Sequence, residues 1–248
     1  MTVEALRADT GTMSITQSMC GDADLAVVGS ALADSARASV LLALADGRAL
    51  PASVLAAEAG VTPSTASHHL ARLVQAGLVR CTAKGRYRYY DLAGPTVADL
   101  IETAARLAPG RPITSLRQGT RMHALRYARR CYDHLAGRLG VAVLDALKTG
   151  GPFVALDEDP SAFALAAQGA DWFAERGITM PSRLVGRTCM DWTEQRPHLA
   201  GPLGRILLDQ FLRLEWLTPR PTTRALRLTE RGIHAFRDGL GVDLPTGP

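Results

Sequence analysis

The chain has 248 residues, of which 47% are hydrophobic and 21% are charged, and its formal net charge is +4. This composition excludes a disordered or fibrous chain, and the length suffices for two compact domains or one large one. No apolar run reaches the roughly 18 residues of a membrane span, and the N-terminus lacks the basic start and apolar core of a secretory signal. We therefore expect a cytoplasmic protein with no membrane partner, whose four cysteines are reduced thiols.

Two helices are predicted after a polar N-terminal segment. Residues 1–21 are small and polar, and we expect them to be flexible. The stretch "ARASVLLALADG" then places Val40, Leu41 and Leu44 on one stripe, as in an amphipathic helix. A shorter second helix is predicted from "PASVLAAEAG", with Gly60 as its C-terminal stop.

The stretch "VTPSTASHHLARLVQAGLV" predicts a third helix with two different faces. Thr62 suits the N-cap and Pro63 the first helical position. One face is an apolar stripe made of Ala66, Leu70, Leu73 and Val74. The opposite face carries short polar or cationic side chains that can hydrogen-bond bases or phosphates, namely Ser64, Ser67, His68, Arg72 and Gln75.

A basic β-hairpin is predicted next, from "LVRCTAKGRYRYYDL", whose pattern alternates around Lys84-Gly85. Between Val61 and Tyr90 the chain has five basic residues and no acid, and residues 111–130 contain six arginines and no acid. These two basic tracts indicate an anionic partner, the alternative being a solvated charged face.

Three helices followed by a basic hairpin indicate a winged helix-turn-helix, in which the third helix enters the major groove. The stretches "STASHHLARLVQAGLV" and "GRYRYYDL" resemble the ArsR (arsenic-repressor) family of winged-helix regulators over about residues 30–108. The resemblance implies a dimeric transcriptional regulator, a repressor, that binds double-stranded operator DNA. The residues that we expect to contact phosphates or base edges are Ser64, Thr65, Ser67, His68, Arg72, Lys84, Arg86 and Arg88.

The metal sites that the resemblance implies do not carry over to this chain. Some family members bind metal through a Cys-x-Cys on the helix before the recognition helix, but that helix reads "SVLAAEAG". Others use Asp and His on the helix after the wing, but "TVADLIETAARL" has no histidine. We expect the latter helix and "DLAVVGSALA" to form the dimer through otherwise unemployed apolar faces. The effector is therefore expected in the C-terminal half.

The C-terminal half contains an internal repeat. "HLAGRLGVAVLDALK" (134–148) and "HLAGPLGRILLDQFL" (198–212) share eight of fifteen residues, and "AFALAAQGADWF" matches "ALRLTERGIHAF" further on. Each copy predicts a helix that begins near "HLAG", a turn-rich connection or hairpin, and a second helix. We expect Gly137 and Gly201 to lie within the first helices, where a missing side chain permits close helix packing.

These patterns together predict a mainly α protein with small β-hairpins (α+β). Residues 1–21 form the flexible N-terminus, and residues 22–110 form the winged helix-turn-helix domain for DNA binding and dimerisation. Residues 111–248 form an effector-sensing domain of two degenerate winged-helix-like repeats, at about 130–178 and 194–242, that pack on each other.

Cysteines and histidines are the candidate effector ligands. Cys131 and His134 are three residues apart, and on one helix they would share a face. Cys189 and Trp192 lie in the connection between the repeats, shortly before His198. If the repeats pack about a pseudo-twofold axis, the two thiols and two imidazoles converge.

Three interpretations of these residues remain open. Thiolates with imidazoles suit thiophilic metals such as Zn(II) or Cd(II), with Asp133 or Asp191 nearby, and thiols can also sense redox state. A small organic effector could instead occupy an apolar pocket rimmed by Tyr132, Trp172 and Trp192. The cysteines could also simply pack in the core.

The alternative function is a small-molecule-modifying enzyme that uses the winged helix only to dimerise. Such an enzyme would need a glycine-rich loop to cradle a nucleotide cofactor, and no such motif follows residue 110. Two side chains at positions i and i+3 of one helix also seldom aim at a common atom, as a nucleophile and its base must. A scaffold that binds neither DNA nor ligand leaves the basic tracts unexplained. We therefore expect a regulator and not an enzyme.

Overall fold

The computed structural model describes residues 22–110, 112–156, 159–181, 184–221 and 223–244. The predicted flexible segment 1–21 lies outside these described residues. Within them, the buried apolar side chains form two main clusters, one in residues 31–101 and one in residues 127–242. We call residues 22–110 the N-terminal unit and residues 112–244 the C-terminal half.

The N-terminal unit is a winged helix-turn-helix, as the sequence predicts. A three-stranded antiparallel sheet, in the order β1-β3-β2, lies beside the helices. The helices are α1 (Leu25–Leu32), α2 (Ser35–Leu44), α3 (Ala52–Ala59), α4 (Pro63–Gln75) and α5 (Pro95–Leu107). The strands are β1 (Leu50–Pro51), β2 (Val79–Lys84) and β3 (Tyr87–Leu92).

Local sequence signals account for helix α4. The Thr62 side chain accepts a hydrogen bond from the Thr65 backbone N–H at 3.2 Å, and Pro63 occupies the first helical turn. Ala66, Leu70 and Leu73 are fully buried, as predicted. The prediction is wrong for Val74, which is 38% exposed because it lines an open groove between α4 and the β2–β3 hairpin.

The C-terminal half runs through the same order of elements twice: two strands, a helix, two strands and a helix. Helix α6 (Leu116–Tyr127) precedes the first series. The first series is β4 (Arg129–Cys131), β5 (His134–Ala136), α7 (Arg138–Thr149), β6 (Phe153–Leu156), β7 (Asp159–Leu165) and α8 (Gly169–Ala174). The second is β8 (Val185–Met190), β9 (Pro197–Ala200), α9 (Gly201–Arg213), β10 (Leu217–Pro219), β11 (Leu226–Leu228) and α10 (Glu230–His234), followed by a π-helical turn at Ala235–Gly239.

Strand pairing makes the protein mixed α/β, with a larger sheet than the small hairpins of the mainly α (α+β) prediction. Strands β6, β7, β8 and β9 form one four-stranded antiparallel sheet, which joins the first series of elements to the second. Strand pairs β4–β5 and β10–β11 form separate two-stranded sheets. Short apolar stretches such as these strands cannot be distinguished from helix by periodicity alone, and for this reason the sequence did not predict the sheet.

The two "HLAG" stretches are strands that end at a helix start, contrary to the prediction. His134–Ala136 form β5, and Gly137 precedes α7 with a φ of +84°. Gly201 begins α9 with a φ of +71°. A Cβ atom on Gly137 would lie only 2.8 Å from the carbonyl oxygen of Arg126. Both glycines therefore permit a left-handed backbone, and Gly137 also permits the end of α6 to approach the start of α7 closely. Neither glycine lies in the interior of a helix.

The C-terminal half packs against the N-terminal unit at several places, of which the contacts on α2 and α5 are the most buried. The turn between β4 and β5 inserts against the end of α2, where the Tyr132 backbone N–H donates to the Ala45 carbonyl at 2.7 Å. On α5, Glu102 is 3% exposed and pairs with Arg224 at 2.9 Å. The face of α5 that carries Glu102 is therefore occupied, which corrects the expectation that α5 is unemployed.

Among the described helices no single one is long and apolar enough to cross a membrane, and only α1 and α2, bent by 93°, pass that test as a pair.

Candidate functional site

Helix α4 presents an exposed polar face. Ser64, Thr65, Ser67, His68 and Arg72 are all exposed on it. The Ser67 hydroxyl donates to the Pro63 carbonyl at 2.9 Å, so it is held along the helix surface. Because the opposite face is buried in the core, this polar face is the part of α4 that can approach a partner.

The β2–β3 hairpin, which we call the wing, carries a cationic and aromatic tip. Lys84 and Tyr87 are the last cross-strand pair, and Gly85 in the turn has a φ of +59°. The Arg86 guanidinium lies 5.0 Å from the centre of the Tyr87 ring. The exposed basic side chains of the wing tip are Lys84, Arg86 and Arg88.

An open groove of about 690 Å³ separates α4 from the wing. Ser67 and Gln75 line it from α4, while Arg86 and Arg88 line it from the wing. Arg80, at the base of the wing, pairs with Asp91 at 2.6 Å and so has a local counter-charge. The positive charge of the wing that lacks a counter-charge is therefore concentrated at the tip.

The second basic tract does not form an anionic-partner surface throughout. Arg121 pairs with Glu58 of α3 at 2.6 Å. Arg129 is fully buried and pairs with Asp191 at 3.1 Å and Glu102 at 3.4 Å. For these two arginines the expectation of an external anion is wrong, because acids distant in the sequence neutralise them.

The structure brings Cys131, His134, Cys189 and His198 together, and we call these four residues the thiol–imidazole cluster. Their ligand atoms all lie within 4.8 Å of one another. Cys131 is the direct cross-strand partner of His134 in the β4–β5 hairpin. Cys189 is the direct cross-strand partner of His198 in the β8–β9 hairpin. Direct cross-strand partners project to the same side of a hairpin, so each hairpin supplies one sulfur and one imidazole.

This geometry corrects two expectations about the cluster. Cys131 and His134 lie on paired strands and not on one helix. Cys189 belongs to β8 and not to a connection between repeats. The second hairpin has a longer turn than the first, and for this reason a fixed offset between the repeats did not align Cys189 with Cys131.

The imidazoles of the cluster are buried and lack hydrogen-bond partners at several nitrogens. His134 is 3% exposed and His198 is 0% exposed. The Nδ1 of His134 lies 3.0 Å from Asp133 Oδ1, which leaves its Nε2 without a partner. Neither ring nitrogen of His198 has a hydrogen-bond partner. Buried polar atoms are rarely left in this way, and a bound water, ion or ligand is the usual explanation.

The electrostatics of the cluster disfavour an ionised Cys131 thiol. A hydrogen bond with Cys189, together with burial, raises the pKa of the Cys131 thiol well above its usual value. Burial, reinforced by the neighbouring His134, lowers the pKa of His198 well below its usual value. Burial also acts to lower the pKa of His134, but the Cys131 sulfur and the Asp133 carboxylate raise it to about 9.

A buried charge network, made of Glu102, Arg129, Asp191 and Arg224, joins the cluster to α5. Asp191 Oδ2 accepts the Gly137 backbone N–H at 2.6 Å and lies 3.8 Å from His198 Nδ1. Arg129 bridges Asp191 to Glu102 of α5. Sequence reasoning missed Glu102, Arg129 and Arg224 as functional candidates. The available signal was a glutamate directly after Ile101 on the apolar stripe of α5.

Trp192, a predicted effector ligand, lies beside the cluster and not in it. Its ring lies 5.3 Å from the Arg129 guanidinium, with which it makes a cation–π contact. The Arg176 guanidinium lies 3.8 Å from the centre of the Trp172 ring, and Tyr132 packs against the N-terminal core. The three rings that were expected to rim an organic pocket thus contact three different sets of residues, which does not favour a shared pocket.

Comparison with known proteins identifies the family. A family model described as "Helix-turn-helix domain" matches residues 32–82. A Bacillus subtilis protein, described as the uncharacterized HTH-type transcriptional regulator YdfF, is 39% identical over 226 residues. The match covers 89% of this chain and 99% of that protein. The chain belongs to the ArsR-type winged helix-turn-helix transcriptional regulators. It is a DNA-binding regulator and not an enzyme.

Shorter relatives resemble only part of this ArsR-type regulator. The HTH-type transcriptional regulator CmtR of Mycobacterium tuberculosis is 46% identical over 74 residues, which are 30% of this chain and 62% of CmtR. The solution structure of the homodimeric winged helix-turn-helix domain of Mb0332 from Mycobacterium bovis is 33% identical, with a TM-score of 0.32. The match covers 36% of this chain and 89% of the Mb0332 chain.

Proposed function

We propose that this regulator is a homodimeric, cytoplasmic repressor that binds operator DNA through α4 and the wing, and that an effector in the C-terminal half changes this binding. The observation that carries the DNA-binding mode is the exposed polar face of α4 beside a wing tip with three free basic side chains. A helix fits the major groove, and a flanking hairpin reaches the neighbouring backbone.

The proposed contacts divide into two kinds. Lys84, Arg86 and Arg88 at the wing tip contact phosphates, which adds affinity without reading the sequence. The residues that face base edges or nearby phosphates from α4 are Ser64, Thr65, Ser67, His68 and Arg72. Arg72 is the only one with the two-pronged donor that recognises guanine in the major groove.

Exposed apolar side chains on α1 support a dimer surface in the N-terminal unit. Leu25 is 76% exposed and Val27 is 47% exposed. We propose that α1 pairs with its copy in a second chain, together with the part of α5 that the C-terminal half leaves uncovered. Two recognition helices would then meet half-sites about one helical turn, or roughly 34 Å, apart.

We also propose that residues 22–110 and 111–248 are separate domains, with two repeats in the second at about 130–178 and 194–242. The two main apolar clusters and the recurring order of elements support this division. The thiol–imidazole cluster is the proposed effector site, because it joins the two series of elements and adjoins the buried charge network to α5.

The wing provides the test of the DNA-binding mode. Arg86→Ala with Arg88→Ala should weaken binding to all duplexes by a similar factor. Each lost phosphate contact lowers the slope of log K against log salt by about 0.9, so a dimer that loses two contacts per chain should lose about 3.6. Fluorescence anisotropy with labelled duplexes of several sequences, over a range of salt concentrations, measures both quantities.

The matched control replaces two exposed arginines of the C-terminal half, Arg205→Ala with Arg231→Ala. It changes the net charge equally and should leave the salt slope unchanged. A wing variant with the parental slope would remove the wing from the interface. A footprint from a single chain would contradict the proposed dimer.

A further inference from the structure

The four side chains of the thiol–imidazole cluster form a ligand set with free donor atoms. Cys131, His134 and His198 are at most 3% exposed, and Cys189 is 8% exposed. Each of the two hairpins contributes one sulfur and one imidazole. The Nε2 atoms of both histidines are buried without a hydrogen-bond partner. Two independent observations, the convergence and the orphaned nitrogens, therefore indicate a ligand at the same point.

The donor set selects the chemistry of that ligand. Two sulfurs and two imidazole nitrogens are the donors of a closed tetrahedral zinc-type site. Metal–sulfur bonds of about 2.3 Å and metal–nitrogen bonds of about 2.0 Å correspond to ligand atoms roughly 3.3–3.8 Å apart in a tetrahedron. The largest separation in the cluster is within 4.8 Å, so a contraction of about 1 Å would close the site around an ion.

Each imidazole of the cluster has a carboxylate nearby, and one of the two carboxylates lies within hydrogen-bond distance of its ring. Asp133 Oδ1 lies 3.0 Å from His134 Nδ1, and this contact holds the ring with Nε2 on the side away from the carboxylate. Asp191 stands 3.8 Å from His198 Nδ1 in the second hairpin. In both hairpins the aspartate is the second residue after the cysteine. A carboxylate behind a ligating imidazole is a usual outer contact of protein zinc sites.

We propose that Cys131, His134, Cys189 and His198 bind one thiophilic divalent cation of the zinc type in each chain, and that this ion is the effector of the proposed function. Binding displaces one proton from each thiol and the proton of the His134 imidazolium to solvent, and it forms two metal–sulfur and two metal–nitrogen bonds. Two thiolates and one divalent cation sum to zero charge, which suits a buried site. The role of the ion as effector rests on the proposed function, whereas the metal site itself does not.

The position of the cluster explains how the ion would act on the DNA-binding unit. Arg129 precedes Cys131 in β4, and Asp191 follows Cys189 at the end of β8, so both belong to the hairpins that the ion joins. Arg129 reaches Glu102 of α5, and the turn between Cys131 and His134 contacts α2 through Ala45. Loaded and empty sites thus favour different placements of α5 and α2, and the ion acts through its differential affinity for them.

The first experiment measures metal binding by the full chain without DNA. Protein purified without chelator should contain one zinc per chain by elemental analysis. After chelation, Co(II) should bind one per chain and give the visible bands of a tetrahedral ion together with a sulfur-to-cobalt charge-transfer band. Zn(II) and Cd(II) should each displace it. A chain that binds no stoichiometric metal, or an octahedral Co(II) spectrum, would overturn the site.

Substitutions then assign the ligands. Cys131→Ser and His198→Gln should each lower zinc affinity by more than about 100-fold, and Asp133→Asn by about 10–100-fold. Because the Asp133 side chain is 36% exposed, that variant tests the site even where a ligand variant fails to fold. Cys81→Ser and His234→Gln, at an exposed cysteine and an exposed histidine, should keep one metal per chain. Equal metal affinity in all five variants would overturn the assignment.

DNA binding separates the effector role from the metal site. Zinc-loaded and chelated protein should differ in operator affinity, and Cys131→Ser should abolish this difference while it still binds the operator. Equal affinity of loaded and chelated protein would overturn the effector role and leave the metal site intact. A disulfide between Cys131 and Cys189 that exchanges with thiols, in protein that binds no metal when reduced, would overturn the proposal in favour of a redox site.

Discussion

The buried charge network makes the junction between the two units testable by one substitution, Glu102→Gln. Glu102 accepts from Arg224 at 2.9 Å and from Arg129 at 3.4 Å, and it is 3% exposed. The amide keeps the shape of the carboxylate but removes its charge. Arg129 would keep Asp191, whereas Arg224, 8% exposed, would lose its counter-charge.

The expected loss follows from this geometry. Removal of one member of a buried ion pair costs about 3–5 kcal/mol, because the remaining charge stays desolvated. The amide can still accept one hydrogen bond, so we expect about 3 kcal/mol. For a chain of this size, that corresponds to a fall in Tm of roughly 6–12 °C. Urea unfolding followed by tryptophan fluorescence measures it, and Trp192, which contacts Arg129, reports on the network directly.

A matched control lies on the same helix. Asp99 of α5 pairs with Arg187 of β8 at 3.0 Å, but both side chains are more than 40% exposed. Asp99→Asn should therefore cost less than about 1 kcal/mol. If Glu102→Gln costs no more than Asp99→Asn, the network does not stabilise the junction.

The pH dependence of this difference has a definite sign. Burial raises the pKa of Glu102, but the charges of Arg224 and Arg129 outweigh it and lower the pKa below its ordinary value of 4.5. A carboxylate with a lowered pKa in the folded state stabilises the fold above its unfolded-state pKa. In metal-free protein, the parent should thus exceed Glu102→Gln in stability by a constant amount above about pH 4.5. The difference should shrink as the pH falls further.

Two further substitutions test the recognition helix and a glycine. Arg72→Ala should weaken binding to the operator by about 1–3 kcal/mol, and it should weaken binding less to operators in which the base pair that Arg72 reads has been changed. Anisotropy measures both affinities. Equal weakening on every duplex would instead place Arg72 on a phosphate. Gly137→Ala should cost more in urea unfolding than Gly151→Ala, since both have φ above +80° but only Gly137 has a carbonyl 2.8 Å from the added Cβ. Equal losses would show that the backbone conformation alone sets the cost, about 1–2 kcal/mol.

Elements with strong local signals could be predicted from the sequence. Helix α4 has an N-cap at Thr62, a proline at its first position and a regular apolar stripe, so its bounds and buried face follow from residues within a few positions. The wing is likewise local, because a two-residue turn at Gly85 connects its strands. Only Val74 differed, since its exposure depends on the groove to the wing.

Features that depend on distant residues could not be predicted in the same way. Strands of three residues, such as Cys131's β4, carry no detectable period, so the hairpins were interpreted as helix. Residues at positions i and i+3 lie on the same face of a helix, and cross-strand partners lie on the same side of a hairpin. The helical interpretation therefore placed Cys131 beside His134 correctly, although the two residues lie on paired strands. Tertiary packing pairs Glu102 with Arg129, and the residues next to each of them in the sequence do not predict this pairing.

The contact between Glu102 and the C-terminal half has a consequence for work with the isolated DNA-binding unit. A fragment that ends at residue 110 lacks Arg129 and Arg224, so its Glu102 carboxylate would be hydrated. The same cut uncovers the Ala45 carbonyl at the end of α2 and the face of α5 that the full chain buries. That surface becomes available to a second copy of the fragment. Self-association of the excised unit would therefore combine the proposed α1 dimer interface with a second interface that the intact protein does not offer.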